Sequence, residues 1–187
     1  MFSQEKKIIK MRIISGKYKG RRLNVPHNIT ARPTTDFAKE GLFNYLNNII
    51  DFEQITLLDL FAGTGNISYE FVSRGCKQAI AVEFQKTQYD FILQTNKTLE
   101  INNMLVFRAD VFTFLKSCKM NFDVIFADPP YELAGFDTIP KSVLDANLLN
   151  SDGIFILEHS ASHNFENEPH FVHHRKYGNV NFSFFHC

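Results

Sequence analysis

The run Asp128-Pro129-Pro130-Tyr131 follows the apolar segment Phe122-Asp-Val-Ile-Phe-Ala127 and joins a carboxylate, two imino residues and an aromatic ring in consecutive positions. The prolines stiffen the backbone, remove two amide donors and leave carbonyls able to accept. An exocyclic base amine carries two N–H donors and a lone pair delocalised into its ring. If Asp128 and the Pro129 carbonyl accept those hydrogens, the nitrogen is held with its lone pair aimed at an electrophile. Methylation makes the nitrogen more acidic, so no separate strong base is needed. Tyr131 offers a face for a base extruded from its helix or loop. The blander reading is a proline-rich turn packed by a tyrosine. The placement of the motif at a strand end in an alternating α/β pattern favours chemistry.

The electrophile is suggested upstream. Leu57-Leu-Asp59-Leu-Phe61-Ala-Gly63-Thr-Gly65 reads as a buried strand running into a Gly-x-Gly turn and then a helix, and open α/β sheets bind ligands at that carboxyl edge. The third glycine of a dinucleotide fingerprint would fall at Ser68, and Asp59 places a carboxylate where a pyrophosphate needs positive potential. S-adenosylmethionine has no phosphate, and its amino group and sulfonium are cationic, so an acid there is favourable. Glu83 closes Ala-Ile-Ala-Val-Glu83 about twenty residues after Gly63, where an acid accepts both ribose hydroxyls of an adenosine. Asp110 follows the third strand at the same edge. It suits either an adenine amino group or the N-cap of the next helix, and one carboxylate can serve both. Phe61, Val111, Arg32 and Thr34 complete the expected cofactor contacts. Six histidines near the end, with His159 and His163 able to share a helical face, invite a metal, but no Glu-flanked pair or cysteine partner supports one.

These residues need a scaffold. Strand-like and helix-like segments alternate as Ile55–Phe61 and Ile67–Arg74, Ala79–Phe84 and Thr87–Ile101, Leu105–Arg108 and Val111–Lys116. Phe122–Ala127, a helix near Ser142–Leu149 and Ile154–Leu157 follow. Such alternation predicts a mainly parallel sheet with helices on both faces. His170–His174 and Val180–Phe185 flank Lys176-Tyr-Gly-Asn179, a hairpin signal that adds an antiparallel closing strand. Ahead of the sheet, Thr35 or Asp36 caps a helix reaching about Asn48, with Phe37, Leu42, Tyr45, Leu46 and Ile49 as its apolar face. Arg32, before a proline, is expected to be extended.

With 187 residues, one domain must carry all of this. Residues 1–10 form a Lys-rich leader and Met11 opens the better-patterned sequence, so 1–10 read as an upstream addition to a domain spanning 11–187. The formal charge is zero, yet residues 1–40 hold ten Lys or Arg against three acids, net +7, leaving −7 elsewhere. Such a charge run is often a solvated tail. Here Arg12, Lys17, Lys19, Arg21 and Arg22 are interleaved with Gly16, Tyr18 and Gly20, a hairpin pattern that suits a polyanion-facing arm over 11–33. The cysteines, Cys76, Cys118 and Cys187, are odd in number and unpaired in spacing, so neither a disulfide framework nor a zinc ribbon is indicated. No run is long enough to span a bilayer, and a cytoplasmic monomer is expected.

Together these segments resemble the bacterial small-subunit ribosomal RNA guanine-N2 methyltransferase family, RsmD. The resemblance covers Arg12-Ile-Ile-Ser-Gly-Lys-Tyr-Lys-Gly-Arg-Arg-Leu23, Arg32-Pro-Thr-Thr-Asp36, Lys39-Glu-Gly-Leu-Phe-Asn-Tyr-Leu46, Asp59–Gly65, Ser73-Arg-Gly75, Val82-Glu83, Asp128–Tyr131 and Tyr177-Gly178. It implies a class I methyltransferase fold with a seven-stranded sheet, S-adenosylmethionine as cofactor, and a guanine of small-subunit RNA as substrate, on a particle already carrying proteins. Gln85-Lys-Thr-Gln88 and the compact segment after Tyr131 depart from the family pattern. An N6-adenine methyltransferase shares Asp-Pro-Pro-Tyr and is the nearest rival. A silent RNA-binding assembly factor on the same fold is a rival of another class, against which the intact Asp59, Glu83 and Asp128 argue.

Overall fold

The computed structural model describes residues 9–29 and 34–186, with the side chains of Ile9 and Lys10 left aside. Arg32 therefore lies outside the described residues. A seven-stranded sheet organises the chain, built from β3 (Thr56–Leu60), β4 (Gln78–Glu83), β5 (Met104–Arg108), β6 (Phe122–Ala127), β7 (Leu149–His159), β8 (Phe171–Tyr177) and β9 (Val180–His186). Its order is β5-β4-β3-β6-β7-β9-β8. The five strands from β5 to β7 are mutually parallel, and β9 enters antiparallel between β7 and β8, as the terminal hairpin signal predicts.

Helices cover both faces, which is why the central strands are apolar nearly throughout. On one face, Leu57, Ala81, Phe126 and Ile156 pack beneath α1 (Asp36–Leu46), α2 (Asn66–Ser73) and α3 (Lys86–Leu99) through Leu42, Phe71 and Ile92. On the other, Leu58, Val82, Ile125 and Phe155 meet α4 (Val111–Ser117) and α5 (Ile139–Asp145) through Phe114 and Val143. The order reverses between β4-β3 and β3-β6, so the carboxyl ends of β3, β4 and β6 border one crevice.

Three expectations need correction. The apolar stripe of α1 is rotated: Phe37 and Ile49 are exposed, while Ala38, Lys39, Leu42, Phe43 and Leu46 are buried. Lys39 takes the inward position because its amine finds partners there. The helix expected near Ser142–Leu149 is α5, which starts three residues earlier, with Pro140 in its first turn, and has ended before Asn147 adopts positive φ. Leu149 instead opens β7, which runs on to His159, two residues beyond the apolar run. His159 thus belongs to a strand, where Nε2 meets Ser183 Oγ and Nδ1 the Ser160 carbonyl, and it shares no helical face with His163.

The expected basic hairpin is present as β1 (Ile9–Arg12) paired with β2 (Arg22–Val25), so it takes in the last two residues of the leader. It is docked rather than free. Glu70 of α2, fully buried, accepts from the Ile14 and Ser15 amides at 2.8 and 3.0 Å, and Arg74 bonds it at 2.9 Å. Lys17 N donates to the Ser73 carbonyl at 2.6 Å and Tyr18 N to Ser73 Oγ at 2.9 Å. Gly16, at φ +80°, lies so close to Ser73 that a Cβ would overlap the Ser73 carbonyl oxygen, so the docked loop admits only glycine. Lys17, Lys19, Arg21 and Arg22 remain exposed, whereas Arg12 pairs with Asp36 and Glu40 of α1.

Candidate active site

The β3–α2 turn is built from left-handed backbone. Phe61, Gly63 and Gly65 have φ of 60°, 56° and 76°, and a Cβ on Gly65 would meet the Tyr69 ring at 2.8 Å. Gly65 N closes on the Ala62 carbonyl at 2.7 Å, and Ala62 N ties the turn to the Val82 carbonyl of β4. The result is a tight turn with no side chains at Gly63 and Gly65 to block a ligand.

Acids converge around it. Asp59, 2% exposed, accepts from Ser68 N at 3.1 Å and Ser68 Oγ at 2.5 Å. Burial pushes its pKa up to about 7 against the pull of the two Ser68 bonds, and the Glu83 charge adds to the rise. Glu83 accepts from Gly63 N at 2.8 Å on one oxygen and from Gln85 N at 2.6 Å on the other, leaving a lone pair on each for a ligand. Its pKa is also raised, chiefly by burial. Asp110 is the N-cap of α4: one oxygen accepts from Thr113 N and Oγ1, both at 2.9 Å, which leaves the other for a ligand at the crevice edge. Val111 is buried behind it and Phe61 is half-buried.

Asp128 continues β6 as a half-buried residue. Among the described residues it accepts no hydrogen bond, and its pKa stands well above the carboxylate range through desolvation and the nearby Glu158 and Asp59 carboxylates. Of the two proline carbonyls, that of Pro130 already accepts Leu133 N at 2.9 Å. The Pro129 carbonyl accepts nothing among the described residues, so one acceptor rather than two is open beside Asp128. Tyr131 is 48% exposed and meets Phe136 edge-on at 6.5 Å, with Phe136 stacked on His163 at 4.1 Å.

Sequence reasoning missed three residues here. Glu158, near the end of β7, is 3% exposed and has its pKa pushed up to about 7 by burial. Its Oε2 accepts from Thr34 Oγ1 at 2.8 Å. Asn66 donates to the Thr34 carbonyl at 3.1 Å and accepts from Lys39 Nζ at 2.7 Å. Lys39, fully buried, also donates to the Arg12 carbonyl at 2.6 Å. Pairing Ala127 with Leu157 would have placed Glu158 beside Asp128, but a strand stopped at Leu157 hid it. Thr34, expected at the cofactor, thus has its hydroxyl on Glu158.

A parallel sheet with one antiparallel strand inserted next to its edge, and a crevice lined by acids at its carboxyl ends, is the class I S-adenosylmethionine-dependent methyltransferase fold. The chain belongs to the family described as conserved hypothetical protein 95, whose model matches residues 11–186. It is 31% identical over 158 residues, covering 84% of this chain and 80% of the relative, to a protein of Buchnera aphidicola named ribosomal RNA small subunit methyltransferase D. The Escherichia coli protein of the same name is 30% identical, with 79% of this chain and 74% of that one covered. The solved structure of a hypothetical protein from Thermus thermophilus superposes with a TM-score of 0.82 at 26% identity, covering 95% of this chain and 99% of that one.

Proposed function

We propose that the protein transfers a methyl group from S-adenosylmethionine to the exocyclic N2 amine of a guanine in small-subunit ribosomal RNA. The observation that carries this reading is Asp128, a desolvated carboxyl with no partner among the described residues, next to the open Pro129 carbonyl at the crevice. Two acceptors so placed take the two hydrogens of an amine and fix the direction of its lone pair. Asp128, with its elevated proton affinity, receives the proton that the methylated amine gives up. Tyr131 stacks on the extruded ring. The motif suits adenine amines equally, so the choice of guanine is supported by family membership and by the names of the relatives.

The acids fit the cofactor. Asp59 and Glu83 are buried with no cation paired to them among the described residues, a demand that a ligand bearing an ammonium and a sulfonium meets. S-adenosylmethionine supplies an electrophilic methyl when bound. Glu83 takes the ribose hydroxyls on its remaining lone pairs and Asp110 the adenine amine. Phe84, 61% exposed beside Glu83, offers the adenine an apolar face that sequence reasoning did not single out.

Calorimetry tests the cofactor assignment. The free Asp59 carboxyl titrates near 7, and a cationic ligand favours its ionised form. Affinity for S-adenosylmethionine is therefore expected to rise between about pH 6 and 8, with protons released on binding, and to level off above. In the ligand-free protein the raised values act the other way: the stability held below the ordinary carboxyl pKa is lost as pH rises through about 7. No binding would favour a silent assembly factor, and binding with no proton release would remove Asp59 from the cofactor site.

The exposed Lys17, Lys19, Arg21 and Arg22 bind phosphates of the RNA. Arg22 sits opposite Arg12 at the crevice end of the hairpin, and Lys17 lies at the far end of α2. The four side chains lie within one hairpin and form a basic ridge. Neutralising all four is expected to flatten the salt dependence of RNA binding by about 0.7 to 0.9 in slope per lost contact, with cofactor affinity unmoved. An unchanged slope would make the ridge a solvated face. The substrate is a protein-bearing particle, because a folded subunit presents the target loop with less ordering left to do. The protein acts as a monomer in the cytoplasm, and no helix among the described residues is long and apolar enough to cross a membrane.

A further inference from the structure

We infer that Glu158 reads the ring N1–H of the target guanine and so sets the choice of base, an inference that rests on the amine-methylating role of Asp128. Parallel pairing puts Ala127 opposite Leu157, both on the α4 and α5 face of the sheet. The pleat then turns the next residues, Asp128 and Glu158, to the opposite face, the one that also carries Asp59. Two carboxylates side by side, neither paired with a cation among the described residues, form in their ionised state an edge made only of acceptors.

Guanine complements that edge. Its N2 amine and N1–H are adjacent donors, so the amine addresses Asp128 while N1–H addresses Glu158. Adenine offers an N6 amine beside an unprotonated N1, whose lone pair would face the Glu158 carboxylate, leaving a buried charge unsatisfied. The carboxylate is also held in place. Lys39 fixes Asn66, Asn66 fixes Thr34, and Thr34 Oγ1 holds Glu158 Oε2 at 2.8 Å. The other oxygen, Oε1, accepts nothing from the described residues and is left for the base. Thr34 is on this account a positioning residue for Glu158.

The test uses 2-aminopurine, which keeps the guanine amine but has a lone pair at N1. Small-subunit RNA bearing guanine or 2-aminopurine at the nucleotide that the wild-type protein methylates is assembled into particles, and kcat/KM is measured for each. The wild-type protein is expected to prefer guanine by on the order of 10²-fold. Glu158→Gln, whose amide can donate to an unprotonated N1, is expected to lose at least about tenfold of that preference, with S-adenosylmethionine affinity and thermal unfolding little changed. Thr34→Val, which leaves the carboxylate but frees it, is expected to lose part of the preference and guards against a Glu158→Gln chain that does not fold. Equal losses on both bases, or an unchanged ratio in both variants, would overturn the assignment. Wild-type protein that binds cofactor yet forms no N2-methylguanine would overturn the underlying reading as well, a failure told apart because it precedes any variant.

Discussion

Replacing Asp128 by alanine is expected to lower methyl transfer by about 10² to 10³-fold while leaving S-adenosylmethionine affinity within a few fold of wild type. The asymmetry follows from what the side chain touches. Asp128 makes no hydrogen bond to the described residues, so its removal breaks nothing in the fold. Its carboxyl is the acceptor we propose for the incoming amine. The loss therefore falls on kcat rather than on cofactor binding. Removing a desolvated acid whose proton affinity is raised by Glu158 and Asp59 also relieves repulsion, and the variant is expected to unfold no earlier than wild type. Single-turnover kinetics with saturating cofactor measure the chemical step directly. Near-normal turnover would remove Asp128 from the mechanism.

Glu70→Ala is expected to be the most damaging single change to stability, at about 3 to 5 kcal/mol, because it strips partners from several buried groups at once. The Ile14 and Ser15 amides lose their acceptor and Arg74 loses its bond to Glu70. Lys39, 4.0 Å away and already depressed in pKa by burial, loses its nearest counter-charge. The hairpin loop is pinned by the same carboxylate, so its undocking should accompany the loss. Urea unfolding gives the stability change, and proteolytic cleavage within residues 13–21 reports the undocking. Loss of about 1 kcal/mol or less, with the loop still protected, would mean that the remaining contacts, those of Ser73 among them, hold the hairpin without Glu70.

The mainly parallel sheet, its antiparallel closing strand and the hairpins were legible because their signals are local: apolar runs of strand length, a Gly-x-Gly turn, and glycine at the tips. Glu83, Asp110 and Asp128 were legible because each closes or follows such a run, and Asp59 because it interrupts one. What escaped depends on contacts between segments remote in the chain. Lys39 reads as a surface charge on a helix, and only its bonds to Asn66 and the Arg12 carbonyl explain why it turns inward and rotates α1, leaving Phe37 outside. Glu158 escaped because a strand was ended where its apolar residues end, although an acid can continue a strand whose final positions face a crevice. Gly41 belongs with these: a Cβ there would sit 2.3 Å from the Tyr177 ring, a requirement set by a hairpin far along the chain.

Incubation of the protein with S-adenosylmethionine carrying a labelled methyl group, and with purified small ribosomal subunits, naked small-subunit RNA or duplex DNA, followed by digestion of each product to nucleosides, tests guanine-N2 methylation of small-subunit RNA. Label is expected in N2-methylguanine, more of it from subunits than from naked RNA, and none from DNA. Label in N6-methyladenine, or label found chiefly in DNA, would contradict that assignment.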